Sequence, residues 1–418
     1  MGRTPLGRGL LALATSLVLG AGTLLHTPAF GATPPPTPVP PHGSPSPFPT
    51  ALATKPPSAR RPPALGAKAA VLADLDSGQV LFAVKPDLRR PIASLTKIMT
   101  ALLVLEGGRV RETVTVSGNA APPSNQVGIS NLGLVAGERI SIEELLYALL
   151  LQSANDAAVA LAEHQEGSVG GFVKAMNRRA KELGAADTRF ASPNGLDDDG
   201  YSTARDLAAI MGAAMGEPWF RRISRTKFHT VPGPPGGKAR RIQNRNVLLW
   251  LYPGTLAGKT GFTSRAGYCL VAVAERDGRT LVAVVLGERG ESFSDAAELF
   301  DYGFQEFVPV DVAMAGETLG VREVGGTPIE VAAGEDLAVL VLRKDADRIR
   351  TRIRVDADAP ALVLPGEPVG TVTAVGASGP LGSVDLVAHS SAAAVPWNRG
   401  FDAVLDRWAA DLVGMDGG

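Results

Sequence analysis

The chain has 418 residues, 41 Lys plus Arg against 42 Asp plus Glu, and a formal net charge of −1. That length corresponds to about two to three domains. The 45% apolar content is enough for a packed core and excludes wholesale disorder. The near-neutral balance excludes a general nucleic-acid binder, which needs a basic excess to neutralise phosphates. The single cysteine, Cys269, excludes disulfides within the chain and any Cys-rich zinc module.

Residues 1–65 carry Arg3, Arg8, Lys55, Arg60 and Arg61 and no acid. Residues 1–31 read as a signal peptide: Arg3 and Arg8 start it, an apolar run extends from Leu10 to Leu25, and Ala29-Phe30-Gly31 places small residues before a cut at Ala32. The alternative is an uncleaved anchor, for which the run is short and interrupted by Gly20 and Gly22. Either way the expected location is extracytoplasmic, secreted or membrane-associated. Residues 32–65 form a Pro-rich linker, holding thirteen of the 32 prolines; with no apolar periodicity to bury, it should be an extended spacer.

From Gly66 the texture changes. Ala69–Asp74 and Gln79–Val84 are strand-like around Asp76-Ser77-Gly78, a hairpin turn. Ser94–Glu106 reads as a helix ending at Gly107-Gly108. Ser141-Ile142-Glu143-Glu144 is a capping box opening an apolar helix to about Leu151. Further helices fit Asp156–His164, Gly170–Leu183 and Thr203–Met215, then strands at Ala266–Ala274 and Arg279–Leu286 and a helix over Ser294–Tyr302. Strands at both ends with a helical middle predict one α+β domain over 66–305.

Residues 306–392 should be a small all-β domain. Ile349–Val355 alternates strictly, and short apolar runs recur at Ile329–Val331, Leu337–Leu342, Leu362–Leu364, Val369–Val375 and Val384–Ala388. The C-terminal segment 393–418 ends in an amphipathic stripe of Phe401, Val404, Leu405, Trp408, Leu412 and Met415. That stripe suits either peripheral membrane contact or docking on protein; Asp402, Asp406 and Asp411 on its polar face are poor for anionic lipid.

The histidines narrow the chemistry. His26 and His42 fall in the signal and linker, and His164, His229 and His389 lie in no nucleophile–base or multi-His arrangement, so a Ser-His-Asp triad and a multi-His metal site are both disfavoured. No metal or organic cofactor is indicated. Ser94-Leu95-Thr96-Lys97 offers another base: Ser and Lys three apart at a helix start lie on one face, and the helix N-terminus points free N–H groups at charge developing near Ser94. Alone this spacing is weak. Ser153-Ala154-Asn155 in a break between apolar helices and Lys259-Thr260-Gly261 about a hundred residues later supply its company.

These three motifs in this order are the set described for penicillin-binding proteins and class A β-lactamases. The run Pro91–Thr100 resembles the active-site helix of low-molecular-mass penicillin-binding proteins, the serine-type D-alanyl-D-alanine carboxypeptidases. Ser153–Ala158, Ser192-Pro193-Asn194-Gly195-Leu196, Tyr201–Leu207, Asn244-Arg245-Asn246, Gly258–Thr263 and Ala266-Gly267-Tyr268 are similar to the same family. The resemblance covers about 66–305 and implies a β-lactamase/transpeptidase-like domain, an antiparallel sheet with a helical subdomain, followed by the small β domain that many of these enzymes carry.

It implies a role for each motif residue. Ser94 is the expected nucleophile and Lys97 its base, neutralised by partial burial and by the second cation Lys259. Ser153 would relay a proton to the leaving D-alanine, and Asn155 would hold the peptide and orient Lys97. Lys259 and Thr260 would bind the terminal carboxylate, Gly261 would allow close backbone approach, and the backbone N–H groups of Ser94 and Phe262 would form the oxyanion site. The Phe262 ring is expected to be packing. The implied partners are peptidoglycan stem peptides ending in D-Ala-D-Ala, with β-lactam antibiotics as acylating inhibitors.

Two departures stand out. The arginine that several relatives place before the last helix has only a displaced counterpart, Arg289, and Asn194 and Gly200 stand where some relatives have His, which leaves substrate preference open. A β-lactamase is the nearest alternative, but the triplet is Ser-Ala-Asn, and only Glu163 and Glu166 lie near a deacylating position in sequence. A D,D-endopeptidase would share the whole site. A catalytically idle wall-binding scaffold is the reading from another class.

Overall fold

β1 (Ala69–Asp74) buries all six of its residues, and its alternation sends Val71 into one apolar cluster and Leu72 into another. It belongs to a computed structural model that describes residues 62–389 apart from 122–128, 198, 291, 361–362 and 378. The expected signal peptide, nearly all of the Pro-rich linker and the segment 393–418 lie outside the described residues.

β2 (Val80–Val84) returns antiparallel to β1 through the expected turn, where Asp74 accepts from Ser77 and Gly78 takes a φ of +71°. α1 (Thr96–Glu106) follows a 3-10 turn over Ala93–Leu95, so the helix expected from Ser94 begins two residues later than predicted. α1 is buried on nearly every side, the mark of a central helix. β3 (Thr113–Thr115) and β4 (Arg139–Ser141) pair as a short ribbon. Ser141 caps α2 (Ile142–Tyr147) by accepting from the Glu144 N–H at 3.2 Å. The helix does not continue unchanged to Leu151; it opens at Ala148 into one π-helical turn ending at Gln152.

α3 (Asn155–Glu166), α4 (Val169–Glu182) and α5 (Ala204–Gly216) match the expected helices to within a few residues. α6 (Pro218–Ser224), started by a proline at its first position, the ribbon of β5 (Phe228–Val231) and β6 (Arg240–Gln243), and α7 (Leu248–Leu251) were not anticipated. β7 (Thr255–Thr263), β8 (Gly267–Arg276) and β9 (Arg279–Glu288) then complete a five-stranded antiparallel sheet in the order β2-β1-β9-β8-β7. Helices cover one face. α8 (Ser292–Glu306) covers the other, with Leu299 and Phe300 against Leu72, Leu270 and Leu281. Two-sided burial explains why β8 and β9 read as continuous apolar runs.

The C-terminal β domain contains β10 (Phe307–Ala313), β11 (Thr318–Val324), β12 (Thr327–Ala333), β13 (Leu337–Leu342), β14 (Arg350–Val355), β15 (Pro368–Gly376) and β16 (Gly379–Ala388). β10 pairs with β13, and the other five form a sheet in the order β11-β12-β16-β15-β14. The apolar run at Leu362–Leu364 predicted a strand, but Val363 and Leu364 belong to none; the Leu364 carbonyl accepts from Glu367 in a turn. The Gln79 amide bonds both ways with the backbone of Leu340, at 2.6 and 2.9 Å, joining the β1–β2 turn to β13.

Candidate active site

Three chain reversals converge where the edge strand β7 meets the start of α1. Ser94 lies in the 3-10 turn before α1, held by Ala93 at a φ of +48°, and Ser153 ends the π turn at a φ of +63°. Only four non-glycine residues described have positive φ, so half of them belong to this site. Two glycines let neighbouring backbone close on the Ser94 turn. A Cβ at Gly261 would lie 2.8 Å from the Ile92 carbonyl and 3.1 Å from the Ser94 nitrogen; one at Gly195 would lie 2.0 Å from the Ala93 carbonyl.

Lys97 is fully buried, and its ammonium donates to Ser94 Oγ at 3.0 Å, Asn155 Oδ1 at 2.7 Å and the Asn194 carbonyl at 2.6 Å. One helical turn on, Thr100 donates to the Pro193 carbonyl at 2.6 Å. The Ser192–Leu196 segment therefore serves the site through its backbone. Asn155 is oriented by its own amide, which donates to the Ser130 carbonyl at 2.8 Å and leaves Oδ1 for Lys97.

Lys259 is buried as completely as Lys97 and donates to Ser153 Oγ at 2.9 Å and to the Thr260 carbonyl at 2.8 Å. Thr260 and Ser94 are half-buried and open the pocket to solvent, and Gly261 is buried beneath them. Phe262 departs from expectation. Its ring is 56% exposed and lies 4.6 Å from that of Tyr268, its cross-strand partner, because β7 is a sheet edge and this position faces outward.

Burial drives the Lys97 amine down to about 7, helped by the positive charge of Arg245 and opposed by Asp156. The positive charge acting on Lys97 is thus that of Arg245, where the sequence pointed to Lys259. Lys259 is itself lowered well below the usual lysine range by burial, then by Lys97 and Arg245. No carboxylate bonds to either lysine, to Ser94 or to Ser153 among the described residues. Nor does any group of three or more His, Cys, Asp or Glu side chains converge among them.

Two participants escaped the reading of the sequence although both stand inside segments quoted there. Arg245 is exposed between two buried asparagines that pin its turn: Asn244 donates to the carbonyls of Ser224 and Thr226, and Asn246 to that of Ala257. The buried carboxylate of Asp156 accepts from the N–H groups of Leu132, Gly133, Leu134 and Ala157, at 2.8 to 3.0 Å. It fixes the loop whose Ser130 carbonyl orients Asn155. An acid directly after the Ser-x-Asn triplet was the available signal. Arg289 is exposed and stands apart from these contacts.

A buried amine bonded to a half-exposed serine, with a second lysine and an edge strand beside it, is an arrangement suited to serine acyl transfer with lysine as base. The comparisons agree with that class. A family model for D-alanyl-D-alanine carboxypeptidase matches residues 56–290. D-alanyl-D-alanine carboxypeptidase DacF of Bacillus subtilis is 32% identical over 318 residues, 73% of this chain and 80% of its own length; DacD of Salmonella typhimurium is 36% identical over 313 residues, 71% and 79%. Among solved structures, penicillin binding protein 5 from Haemophilus influenzae superposes with a TM-score of 0.70 at 30% identity, covering 80% of this chain and 100% of that one. Penicillin binding protein 6B from Escherichia coli gives 0.62 at 31%, covering 79% and 98%. The chain belongs to the D-alanyl-D-alanine carboxypeptidase family.

Proposed function

We propose that this chain is an exported enzyme that removes the terminal D-alanine from peptidoglycan stem peptides through an acyl-enzyme on Ser94. The observation that carries the reading is the fully buried Lys97 bonded to the Ser94 hydroxyl and, among the described residues, bonded to no carboxylate. A neutral amine has two N–H groups and one lone pair. Asn155 and Asn194 take the two N–H groups, and the lone pair takes the Ser94 proton as the oxygen attacks the scissile carbonyl.

The oxyanion would meet the N–H groups of Ser94 and Phe262. The substrate's terminal carboxylate supplies the counter-ion Lys259 lacks, with Thr260 and Arg245 beside it. Charged Lys259 donates to Ser153, whose hydroxyl passes its proton to the departing D-alanine nitrogen and regains one from the Lys97 ammonium, which returns to the neutral amine. Water then attacks the ester and gives a proton to Lys97, Lys97 passes it to Ser94 Oγ as the ester C–O bond breaks, and the shortened peptide leaves. β-Lactams would enter the same cycle and stall at the ester. The assignments of Ser94, Lys97, Ser153, Asn155, Lys259, Thr260, Gly261 and the Phe262 backbone rest on the contacts above together with the family's motifs.

A specific contact argues against a β-lactamase. The Glu163 carboxylate accepts from Ser117 at 2.5 Å and Asn119 at 2.7 Å, eight residues or about 12 Å down α3 from Asn155, and Glu166 is exposed at the helix end. Neither stands ready to activate a deacylating water. Wild-type protein should release D-alanine from diacetyl-L-lysyl-D-alanyl-D-alanine and hold one benzylpenicillin as an adduct visible by intact mass. No D-alanine, with rapid hydrolysis of the drug, would replace this reading by the β-lactamase.

The pH dependence follows from Lys97. Its base form exists above about 7, so the acylation rate constant should be low in acid and rise with pH through a midpoint near that value. Arg245→Gln removes a like charge and should move the midpoint to higher pH; Asp156→Asn removes an opposite charge and should move it lower. Stopped-flow acylation by a chromogenic β-lactam reads both. Shifts in the same direction would contradict the electrostatic account.

A further inference from the structure

Residues 218–274 contain ten Lys and Arg and no Asp or Glu, within a chain whose remaining residues carry 31 Lys plus Arg against 42 Asp plus Glu. Four of the ten, Lys227, Lys238, Arg240 and Arg241, lie on or next to the β5–β6 ribbon. The ribbon's inner side is satisfied internally: His229 stacks on Tyr147 at 3.7 Å and meets Glu144 at 2.8 Å, while Arg240 makes two bonds to the buried Glu138, at 2.7 and 2.8 Å. The alternate positions Phe228, Thr230 and Arg241 are exposed.

On that outer side the Arg241 guanidinium lies 5.2 Å over the Phe228 ring, Phe228 meets Trp250 edge-on at 5.8 Å, and the Lys227 ammonium lies 5.5 Å over Trp250. Neither Lys227 nor Arg241, nor the neighbouring exposed Arg225, has a carboxylate partner among the described residues. Arg241 is four residues from Arg245, so at most about 14 Å of extended chain joins this face to the cation beside both site lysines.

We propose that this outer face, built on Lys227, Phe228, Arg241 and Trp250, is a docking surface for the acidic wall polymer, holding carboxylates of stem peptides next to the one in the active site. The inference rests on the peptidoglycan reading of the site. Unpaired cations repel one another, and a face that keeps them without internal acids is completed by an external polyanion. The ring faces are capped by cations and do not form a free apolar wedge, which distinguishes the face from a membrane-inserting one. Its continuity with Arg245 leads a bound strand toward Ser94.

The test uses the full chain as wild type and as the double variant Lys227→Gln/Arg241→Gln, with co-sedimentation on purified peptidoglycan sacculi at low and high salt. The variant should bind sacculi about tenfold more weakly at low salt, and the difference should vanish at high salt, where exposed charges are screened. D-Alanine release from the diacetyl tripeptide should stay within about twofold of wild type, because neither residue belongs to the catalytic site. Equal retention of the two proteins, or no retention of wild type, would overturn the proposal. So would a loss of binding confined to vesicles of anionic phospholipid, which would make the face a membrane contact. Failure of wild type to act on the tripeptide would defeat the proposed activity, while the sacculus comparison would still decide the docking surface.

Discussion

Ser94→Ala should release no measurable D-alanine and form no penicilloyl adduct, a loss of roughly 10⁴-fold or more in the acylation rate, while the protein stays folded. The magnitude follows from removing the nucleophile of a covalent pathway; groups that act as one unit are lost together. The fold should tolerate the change. Ser94 is half-buried, its hydroxyl provides no cap for α1, and its side chain accepts from Lys97. The expected cost is therefore within about 1 kcal/mol. Intact mass after incubation with benzylpenicillin, beside a thermal melt, separates the two effects. A variant with an unchanged melt that still acquires the adduct would remove Ser94 from the mechanism.

The second large effect concerns a residue with no reactive group. Gly195→Ala should lower both stability and acylation, because the glycine combines a φ of +74° with backbone packed where a Cβ would stand. That Cβ would lie 2.0 Å from the Ala93 carbonyl oxygen and 2.7 Å from Thr96 Oγ1. The first of these is backbone and cannot rotate away, so either the Ser94 turn or the segment giving the Asn194 carbonyl to Lys97 must move. We expect a destabilisation of about 3 kcal/mol or more and a fall in acylation of about 100-fold, the typical consequence of displacing catalytic groups by about 1 Å.

Gly78→Ala is the control. Gly78 has nearly the same φ, +71°, and nothing within 4 Å of its Cβ position, so it bears the left-handed penalty of about 1–2 kcal/mol alone and should keep full activity. Equal behaviour of the two variants in melting and in acylation would show that the Ala93–Gly195 contact carries no weight.

These two predictions differ in what made them readable. Ser94 and Lys97 are a weak signal alone, but with Ser153, Asn155 and Lys259 they form a set of residue types at recurrent spacings that points to acyl transfer. The helices α3, α4 and α5 and the strands β8 and β9 were likewise legible, because their apolar periodicity and bounding turns are local properties. The π turn at Ala148–Gln152 was not, since its apolar sequence is equally suited to an α-helix and its end is decided by the loop around Ser130 and Asn131, which holds Gln152 by two bonds. β5, β6 and α7 were missed for a related reason: short elements draw their stability from what they pack against.

By itself the sequence pointed to the candidate reacting groups, an α+β domain and the small β domain that follows, and its resemblance to a known family implied the antiparallel sheet with a helical subdomain. Only the tertiary structure decided the protonation of the site. Complete burial of Lys97 and Lys259, the charge of Arg245 and the opposing carboxylate of Asp156 come together from segments up to 162 residues apart in the chain, Lys97 to Lys259. Desolvation and Coulomb interactions depend on distance in space, and a spacing along the chain specifies that distance only within a helix or a strand.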